Sequence, residues 1–306
     1  MKQLAIVIPA YKATFLRTAL DSIAAQTCQD FTLYIGDDCS PYEVGAIVDE
    51  YRSKMSLVYK RFETNMGGND LVAQWERCIA MSQGEPYIWL FSDDDVMEPR
   101  CVELFYDTIK KSHDNYDIYH FDVEIIDNEG GVIQTCQRYP QSLDNYEYYK
   151  GKLSGLYASL VVENIFSRYI YERKGGFKKF DLAWGSDTAT WIIFSERNGF
   201  NTIDGAFVQW RNSDENISPN LSNPIVERKV NALLDFFEWS FDYFKSIGHN
   251  CFFINLRAFI SRMRSFANYI SDEQLHASVK RFCSSHGCKF ANVLLYFVIM
   301  ALKRRA

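Results

Sequence analysis

The segment Pro86-Tyr-Ile-Trp-Leu-Phe-Ser-Asp-Asp-Asp95 joins an apolar, strand-forming run to three adjacent carboxylates. Carboxylates at the end of a buried strand repel one another, and such a cluster is costly unless a positive group lies beside it. A divalent cation held for a phosphate ligand is the usual solution, because Mg²⁺ binds through one or two carboxylates, substrate phosphates and water. The alternative is a solvated turn that caps the next helix, where aspartate is common.

Further apolar runs alternate with helical patterns on both sides of this segment. Strands are predicted at residues 4–8, 31–35, 57–62, 87–91 and 118–121, and helices at residues 14–26, 43–51, 71–81 and 101–110. This alternation predicts an α/β fold with a doubly wound, mostly parallel sheet and helices on both faces. Such sheets bind ligands beyond the carboxyl ends of their strands, where the three carboxylates lie. No glycine-rich dinucleotide motif or P-loop follows any of these strands.

The second half of the chain changes character. Residues 123–137 are predicted to form a hairpin, residues 146–160 and 188–198 helices, and residues 202–208 a strand. Residues 210–224 are rich in Asn, Ser and Asp, which predicts a loop. From residue 225 the pattern is helical to the end of the sequence.

The composition describes a chain with ample material for a core. Of its 306 residues, 47% are hydrophobic and 16% aromatic, which excludes a disordered protein. The net charge is -6, yet residues 245–306 carry ten Lys/Arg and two acids, whereas the first 244 residues carry 23 and 37. The acidic body argues against nucleic acid as a partner. The eight cysteines lack metal-binding spacing, and without an export signal we expect them to be reduced in a cytoplasmic protein.

Five short motifs follow one another along about residues 1–220. They are Val7-Ile-Pro-Ala-Tyr11, Gly36-Asp-Asp-Cys-Ser40, Asn65-Met-Gly67, Ser92-Asp-Asp-Asp95 and Gly185-Ser-Asp187. In this order they resemble the motifs of the family 2 inverting glycosyltransferases, which have the GT-A fold. The resemblance implies a metal-dependent enzyme that transfers a sugar from a nucleotide-sugar donor, above all a UDP-sugar, to an acceptor hydroxyl in surface polysaccharide or glycan synthesis.

The resemblance also implies a division of the chain. Residues 1–220 would form the GT-A catalytic domain, with a nucleotide-sugar half over about residues 1–122 and an acceptor half over about residues 123–220. Residues 221–306 would form a helical C-terminal extension.

The same resemblance implies which residues bind the donor. They are Pro9, Tyr11, Asp38, Asn65, Gly67, Asp93 and Arg211. Asp38 is expected to contact the base, and Arg211 is expected in a flexible loop that closes over the diphosphate. The alternatives are a turn or cap role for Asp38 and an ordinary polar loop around Arg211. Arg77, in the helix where many family members place a phosphate-binding arginine, is expected to be an exposed helix residue instead.

Asp94 and Asp95 are the implied ligands of Mg²⁺ or Mn²⁺, which would neutralise the departing diphosphate. Asp187 is the implied general base, because displacement at the anomeric carbon requires the acceptor hydroxyl to lose its proton. Ser186 is predicted to cap the following helix, and the helix N-terminus is predicted to lower the pKa of Asp187. The alternative is that Asp187 only interacts with the helix dipole.

The tail is the remaining feature of the sequence. Residues 293–302 are all apolar and precede Lys303-Arg-Arg305. Crossing a bilayer takes about 20 apolar residues, but a shorter run beside basic groups can lie on an anionic surface. We therefore predict peripheral attachment to the inner face of the cytoplasmic membrane, close to a glycan or lipid-linked sugar acceptor, with a positive field from Arg257, Arg262, Arg264, Lys280 and Arg281. A helix packed on the protein or in a homo-oligomer interface is the alternative.

Two other functions share parts of this pattern. A sugar nucleotidyltransferase has the same type of sheet and a carboxylate-bound metal, but it needs a glycine-rich basic loop that Pro9-Ala-Tyr-Lys12 does not provide. A non-catalytic nucleotide-sugar-binding module would not need Asp187 in addition to the three acids.

Overall fold

The computed structural model describes residues 2–216 and 218–303. The strands are β1 (Leu4–Ala10), β2 (Phe31–Asp37), β3 (Leu57–Arg61), β4 (Tyr87–Leu90), β5 (Val96–Met97), β6 (Ile118–Ile126), β7 (Val132–Thr135), β8 (Ser142–Leu143), β9 (Asn164–Ser167) and β10 (Phe200–Arg211). The helices are α1 (Leu16–Ala24), α2 (Val44–Asp49), α3 (Leu71–Ile79), α4 (Cys101–Ser112), α5 (Asn145–Ser154), α6 (Arg168–Lys174), α7 (Ser186–Phe194), α8 (Asn223–Ser246), α9 (Phe252–Phe266), α10 (Asp272–Ser285) and α11 (Asn292–Lys303).

The strands of the described residues form one sheet, in the order β3-β2-β1-β4-β9-β6-β10-β5. Strands β3, β2, β1 and β4 are parallel neighbours, as the α/β alternation predicts. Strand β9 lies antiparallel between β4 and β6, and β5, β7 and β8 also pair in antiparallel fashion. The sheet is therefore mixed, with the predicted parallel strands as its main part. The antiparallel strand β9 was not predicted, because four residues are too few to leave a clear sequence signal.

The parallel half brings three strand ends to one edge of the sheet. In the register, Ala10 of β1 pairs with Asp37 of β2, and Val7 of β1 pairs with Leu90 of β4. The residues that follow β1, β2 and β4 therefore meet at the carboxyl edge, where α/β sheets bind ligands.

Both faces of the sheet are covered. Alternate residues of β1 enter different cores, since Ala5 and Val7 belong to one buried cluster and Ile6 and Ile8 to the other. The first cluster continues through the C-terminal helices as far as Ile299 of α11. The predicted C-terminal extension thus shares a hydrophobic core with the preceding region.

The second half departs from the predicted elements in one place that matters for the site. The hairpin is confirmed, with β6 and β7 joined around a turn in which Asp127 donates its backbone N–H to the Gly131 carbonyl at 2.9 Å. Strand β10, however, continues through Arg211 and stays paired with β6 after a register shift between Ile203 and Phe207. The predicted loop therefore begins after Arg211 and not at residue 210. Within the described residues, no helix has the length and apolar character needed to cross a membrane.

Candidate functional site

A cavity of about 930 Å³, which we call the cleft, opens at the carboxyl edge of β1, β2 and β4. Eight of the ten predicted site residues line it: Pro9, Tyr11, Asp38, Asn65, Gly67, Asp93, Asp94 and Asp187. Asp95 and Arg211 do not line it. Side chains of the C-terminal helices α8 and α9, including Phe236 and Arg262, complete the wall near Asp187.

Asp93 ties the end of β4 to the end of β1. Its Oδ2 accepts hydrogen bonds of 2.8 Å from the backbone N–H groups of Tyr11 and Lys12. The Lys12 ammonium pairs with Asp94 and lies 3.6 Å from Oδ1 of Asp93. Burial raises the pKa of Asp93 to about 6, and Lys12 opposes this shift. A lysine therefore supplies positive charge beside the acid cluster.

Asp95 lies behind the cleft and is fully buried. Its Oδ1 accepts a hydrogen bond of 2.7 Å from the backbone N–H of Arg211, while its Oδ2 has no partner among the described residues. Burial, followed by the charge of Asp94, raises the pKa of Asp95 well above its usual range. Asp95 therefore lies outside the lining of the cleft, and its role as a metal ligand stays a prediction.

Arg211 is the last residue of β10 and is 2% exposed. Its Nε donates to the Asp94 carbonyl at 2.9 Å, and its Nη1 donates to the Asp127 carbonyl at 2.6 Å. The guanidinium also lies 4.3 Å from the centre of the Phe15 ring. Arg211 therefore fixes the backbone beside Asp94. Its predicted place in a loop is wrong, because it belongs to β10, and its contact with the diphosphate stays a prediction.

The loop after Arg211 nevertheless reaches the cleft. Asn216 accepts a hydrogen bond of 3.1 Å from Nζ of Lys12, and Glu215 accepts one of 2.9 Å from the Thr14 hydroxyl. Glu215, Asn216 and Ser218 all line the cavity. This loop therefore joins the segment after β1 across the acid cluster.

Asp38 holds a turn at the edge of the cleft. Its carboxylate accepts hydrogen bonds of 2.6 and 2.7 Å from the backbone N–H groups of Met66 and Gly67, and it pairs with Arg77. A Cβ at Gly67 would lie 2.8 Å from Oδ2 of Asp38, so this close approach requires glycine. Arg77 stacks on Phe62 at 3.9 Å, which corrects the expectation of an exposed helix arginine. The contact of Asp38 with a base stays a prediction.

The wall next to Asp38 combines an aromatic ring with a polar turn. Tyr11 is 41% exposed, and its carbonyl accepts a hydrogen bond of 2.6 Å from the Ser40 hydroxyl. Asn65 accepts a hydrogen bond of 2.9 Å from the backbone N–H of Gly68, which closes the tight turn. An accessible aromatic ring beside polar groups can stack on a flat ligand ring.

Asp187 lies in the first turn of α7. The residue that caps this helix is Gly185, with a φ of 88°, and not Ser186, whose hydroxyl instead accepts a hydrogen bond of 2.9 Å from the backbone N–H of Phe180. Burial raises the pKa of Asp187, and the charge of Lys152 opposes the shift. The predicted lowering of this pKa is therefore wrong, because lost solvation outweighs the helix N-terminus. A raised pKa suits a base that works near neutral pH.

Basic residues near Asp187 were not predicted as part of the site. Lys152 of α5 and Arg262 of α9 line the cleft, and Lys229 of α8 lies behind its wall, with the ammonium 4.7 Å from the centre of the Trp184 ring. Burial lowers the pKa of Lys152 and Lys229, whereas Arg262 is exposed. No local motif marks these positions, because the packing of three separate helices brings them together.

Two arginines assigned to a membrane-facing field have other positions. Arg262 is open to the cleft. Arg281 pairs with Asp235 and Glu238 of α8. The positive field predicted for the C-terminal region is reduced accordingly.

Comparisons with known proteins identify several similar chains. The family model of Glycosyl transferase family 2 matches residues 5–181. TarS of Staphylococcus aureus, a poly(ribitol-phosphate) beta-N-acetylglucosaminyltransferase, is 29% identical over 133 residues, which are 42% of this chain and 22% of TarS. The uncharacterized glycosyltransferase RP339 of Rickettsia prowazekii is 30% identical over 139 residues, which are 44% of this chain and 41% of the relative. The matched segments thus span less than half the length of these relatives.

Solved structures share the fold over nearly the whole chain. Residues 1–349 of S. aureus TarS in complex with UDP-GlcNAc match with a TM-score of 0.62 at 15% identity, covering 99% of this chain and 92% of that one. The mannosyltransferase PcManGT from Pyrobaculum calidifontis, in complex with GDP-Man and Mn²⁺, matches with a TM-score of 0.56 at 15% identity, covering 98% and 86%. Identities this low establish the fold alone.

Proposed function

Since the chain belongs to glycosyl transferase family 2, we propose that it transfers a sugar from a nucleotide-sugar donor to an acceptor hydroxyl with inversion. The observation that carries the proposal is that Asp38, Asp94 and Asp187, which come from separate segments, all line one cleft. In this proposal Asp38 contacts the nucleotide, Asp94 acts at the diphosphate, and Asp187 takes the acceptor proton.

The proposed reaction is a direct displacement at the anomeric carbon of the sugar. The acceptor oxygen bonds to that carbon, the bond from carbon to diphosphate oxygen breaks, and the acceptor proton passes to the Asp187 carboxylate. Attack from the side opposite the leaving group inverts the configuration. The Lys12 ammonium, which pairs with Asp94, adds positive charge where the diphosphate departs. The loop that carries Asn216 shields the reacting atoms from water.

We assign a Mg²⁺ or Mn²⁺ site to Asp94. Lys12 pairs with its Oδ2, whereas its Oδ1 makes no hydrogen bond with the described residues. The described residues contain no cluster of three or more His, Cys, Asp or Glu that could hold a metal. A cation bound through Asp94 would therefore complete its shell with diphosphate oxygens and water, which is a common arrangement for Mg²⁺. Such a cation would neutralise charge on the departing diphosphate. Asp95 supports this site from outside the cleft lining, because it accepts the hydrogen bond from the Arg211 backbone N–H.

A UDP-sugar is the proposed donor, and a glycan or lipid-linked sugar is the proposed acceptor, in surface polysaccharide or glycan synthesis. The motif order supports this choice. TarS, which shares the fold, has been captured with UDP-GlcNAc and with UDP. PcManGT has been captured with GDP-Man, so GDP-mannose is the donor against which a UDP-sugar should be compared.

A thermal-shift experiment tests donor and metal together. UDP-GlcNAc and GDP-mannose are added with and without Mn²⁺ to the wild type, to Asp94→Asn and to the control Asp30→Asn, which changes an exposed aspartate outside the cleft. We expect UDP-GlcNAc with Mn²⁺ to raise the melting temperature of wild type and control only, since a ligand at 100 times its Kd stabilises by about 2.7 kcal/mol. An equal shift in Asp94→Asn refutes the metal site. No shift of the wild type with either donor refutes nucleotide-sugar binding.

Peripheral membrane contact through α11 is a further part of the proposal. Val293, Leu294 and Phe297 of this helix are between 55% and 69% exposed, and Phe290 just before it is fully exposed, whereas Ile299 is buried in the core. The arginines 304 and 305 predicted to accompany this apolar side lie outside the described residues.

Sedimentation with phosphatidylglycerol vesicles, compared with phosphatidylcholine vesicles, tests the membrane contact. We expect Phe297→Glu to abolish sedimentation with the anionic vesicles while the mass in solution stays the same. A variant that still sediments, or one that instead dissociates a dimer in light scattering, overturns the proposal.

A further inference from the structure

The helical wall of the cleft carries two cations that form no ion pair with the described residues. Lys152 donates to the Ser159 carbonyl at 2.9 Å, but within the described residues it forms no ion pair. Arg262 makes neither a hydrogen bond nor an ion pair with the described part of the chain, and it faces the cavity. Both side chains share the lining of the cleft with Asp187, and the charges of Asp187 and Arg262 both act on Lys152.

A third cation, Lys229 of α8, lies behind the wall of the cleft and adds to its positive charge. Lys229 is fully buried, and its Nζ donates to the carbonyls of Ser218 and Asn220 at 3.0 and 2.7 Å. Again no carboxylate pairs with it among the described residues. Elsewhere in the chain, basic groups such as Arg281 and Arg228 do have acidic partners. Several other basic residues without an ion pair in the described part of the chain, such as Lys111, are exposed on the surface, whereas Lys152 and Arg262 line the cleft and Lys229 is buried behind it.

The half-buried Lys152 ammonium is unfavourable without a full counter-charge, because burial removes part of its water. The Arg262 guanidinium, in contrast, is exposed in the lining of the cleft, where a ligand can reach it. Lys152 and Arg262 also repel each other, since the charge of Arg262 lowers the pKa of Lys152. Asp187 and the buried Glu163 offset this repulsion in part, as both raise the pKa of Lys152. An anionic ligand between the two cations would remove the remaining cost.

We propose that Lys152 and Arg262 bind a phosphate group of the acceptor, next to the hydroxyl from which Asp187 takes the proton. This inference rests on the proposed transferase function and adds the chemical class of the acceptor. A guanidinium offers a planar pair of donors to phosphate oxygens, and an ammonium adds a point charge. The phosphate belongs either to a lipid-linked sugar diphosphate or to a polyol phosphate polymer.

Titration calorimetry on protein saturated with UDP and Mn²⁺ tests the inference with the donor side already filled. One arm titrates a glycerol phosphate oligomer, and the other titrates farnesyl diphosphate in detergent micelles, with glycerol and farnesol as uncharged controls. The variants are Arg262→Met and Lys152→Met, with Arg264→Met on α9 and Lys150→Met on α5 as matched controls outside the cleft lining. Arg262→Met is the decisive variant, because it breaks no hydrogen bond among the described residues.

We expect wild type and both controls to bind a phosphate probe, and we expect Arg262→Met and Lys152→Met to bind it at least about tenfold more weakly, as the loss of one charge-assisted hydrogen bond implies. The affinity for UDP should be unchanged in every variant. The arm with tighter binding identifies the source of the phosphate. Equal binding by wild type and Arg262→Met, or no binding of either probe by a wild type that binds UDP, overturns the inference. A wild type that fails to bind UDP refutes the proposed function instead.

Discussion

Replacement of Lys12 by methionine should weaken the fold and make its stability depend on a divalent cation. In the structure the Lys12 ammonium pairs with Asp94 and lies 3.6 Å from Asp93 Oδ1. The lysine side chain is 22% exposed, and each of the two aspartate side chains is 6% exposed. Methionine keeps most of the apolar stem and removes the charge. The substitution therefore isolates the electrostatic part of the interaction.

The expected loss follows from this geometry. Two unit charges 3.6 Å apart attract by about 5 kcal/mol at an effective dielectric constant of ~20. Removal of one partner of a buried pair costs about 3–5 kcal/mol, and the partial exposure of the lysine reduces this cost to about 2–3 kcal/mol by solvent screening. At about 2–4 °C per kcal/mol for a large domain, the melting temperature should fall by about 4–12 °C.

Differential scanning fluorimetry in EDTA and in Mn²⁺ measures both effects. The control is Lys111→Met, which removes an exposed lysine that forms no ion pair with the described residues. In EDTA we expect Lys12→Met to melt below the wild type and the control to match it. Mn²⁺ should raise the melting temperature of Lys12→Met more than that of the wild type, because the cation takes the place of the missing ammonium. Equal melting temperatures in EDTA, or equal Mn²⁺ increments, would refute this reasoning.

Three further predictions address the base and the core. Asp187→Asn should keep the donor Kd, measured by calorimetry, and lower the transfer kcat by about 10²–10⁴-fold; full activity would exclude Asp187 as the base. Burial raises the pKa of Asp187, and Lys152 opposes the shift. In a pH-rate profile, kcat/KM should therefore fall as the pH drops through this raised pKa, and Lys152→Met should move the acidic limb of the profile to higher pH. An acidic limb that does not move would contradict the assignment. A Cβ at Gly36 would lie 2.9 Å from Phe62 and would also clash with the Cys78 side chain. Gly36→Ala should therefore lower the free energy of unfolding, measured in urea, by about 1–3 kcal/mol. Unchanged stability would show that the neighbouring side chains move to accommodate the methyl group.

The position of the proposed donor-binding residues could be predicted because these residues follow strand ends. Tyr11, Asp38 and Asp94 are distant in sequence, yet parallel pairing of β1 with β2 and β4 brings them to one edge of the sheet. Strand order in such a sheet follows from the α/β alternation. The position of the first four motifs after predicted strands was therefore sufficient to place Tyr11, Asp38, Asn65 and Asp94 in one cavity.

The two misplaced arginines show why the rest could not be predicted. Arg211 stands in a polar segment typical of loops, yet the carbonyls of Asp94 and Asp127 accept its hydrogen bonds and draw it into the interior. Arg262 stands in a basic helical segment typical of surfaces, yet the packing of α9 turns it into the cleft. Hydrogen bonds to backbone carbonyls and the packing of helices have no signature in the sequence. The positions of Arg211 and Arg262 could therefore not be predicted from residue types alone.

Strand ends and helix packing therefore define different parts of the cleft, one for the proposed donor and one for the proposed acceptor. The proposed donor-binding residues belong to strand-end motifs before residue 100, whereas Phe236 and Arg262 bring the C-terminal helices into the wall beside Asp187. Helices can repack around a fixed sheet, and a few altered side chains then change which acceptor fits. It follows that substitutions in α8 and α9 at the cleft should change the choice of acceptor while leaving the affinity for the nucleotide intact.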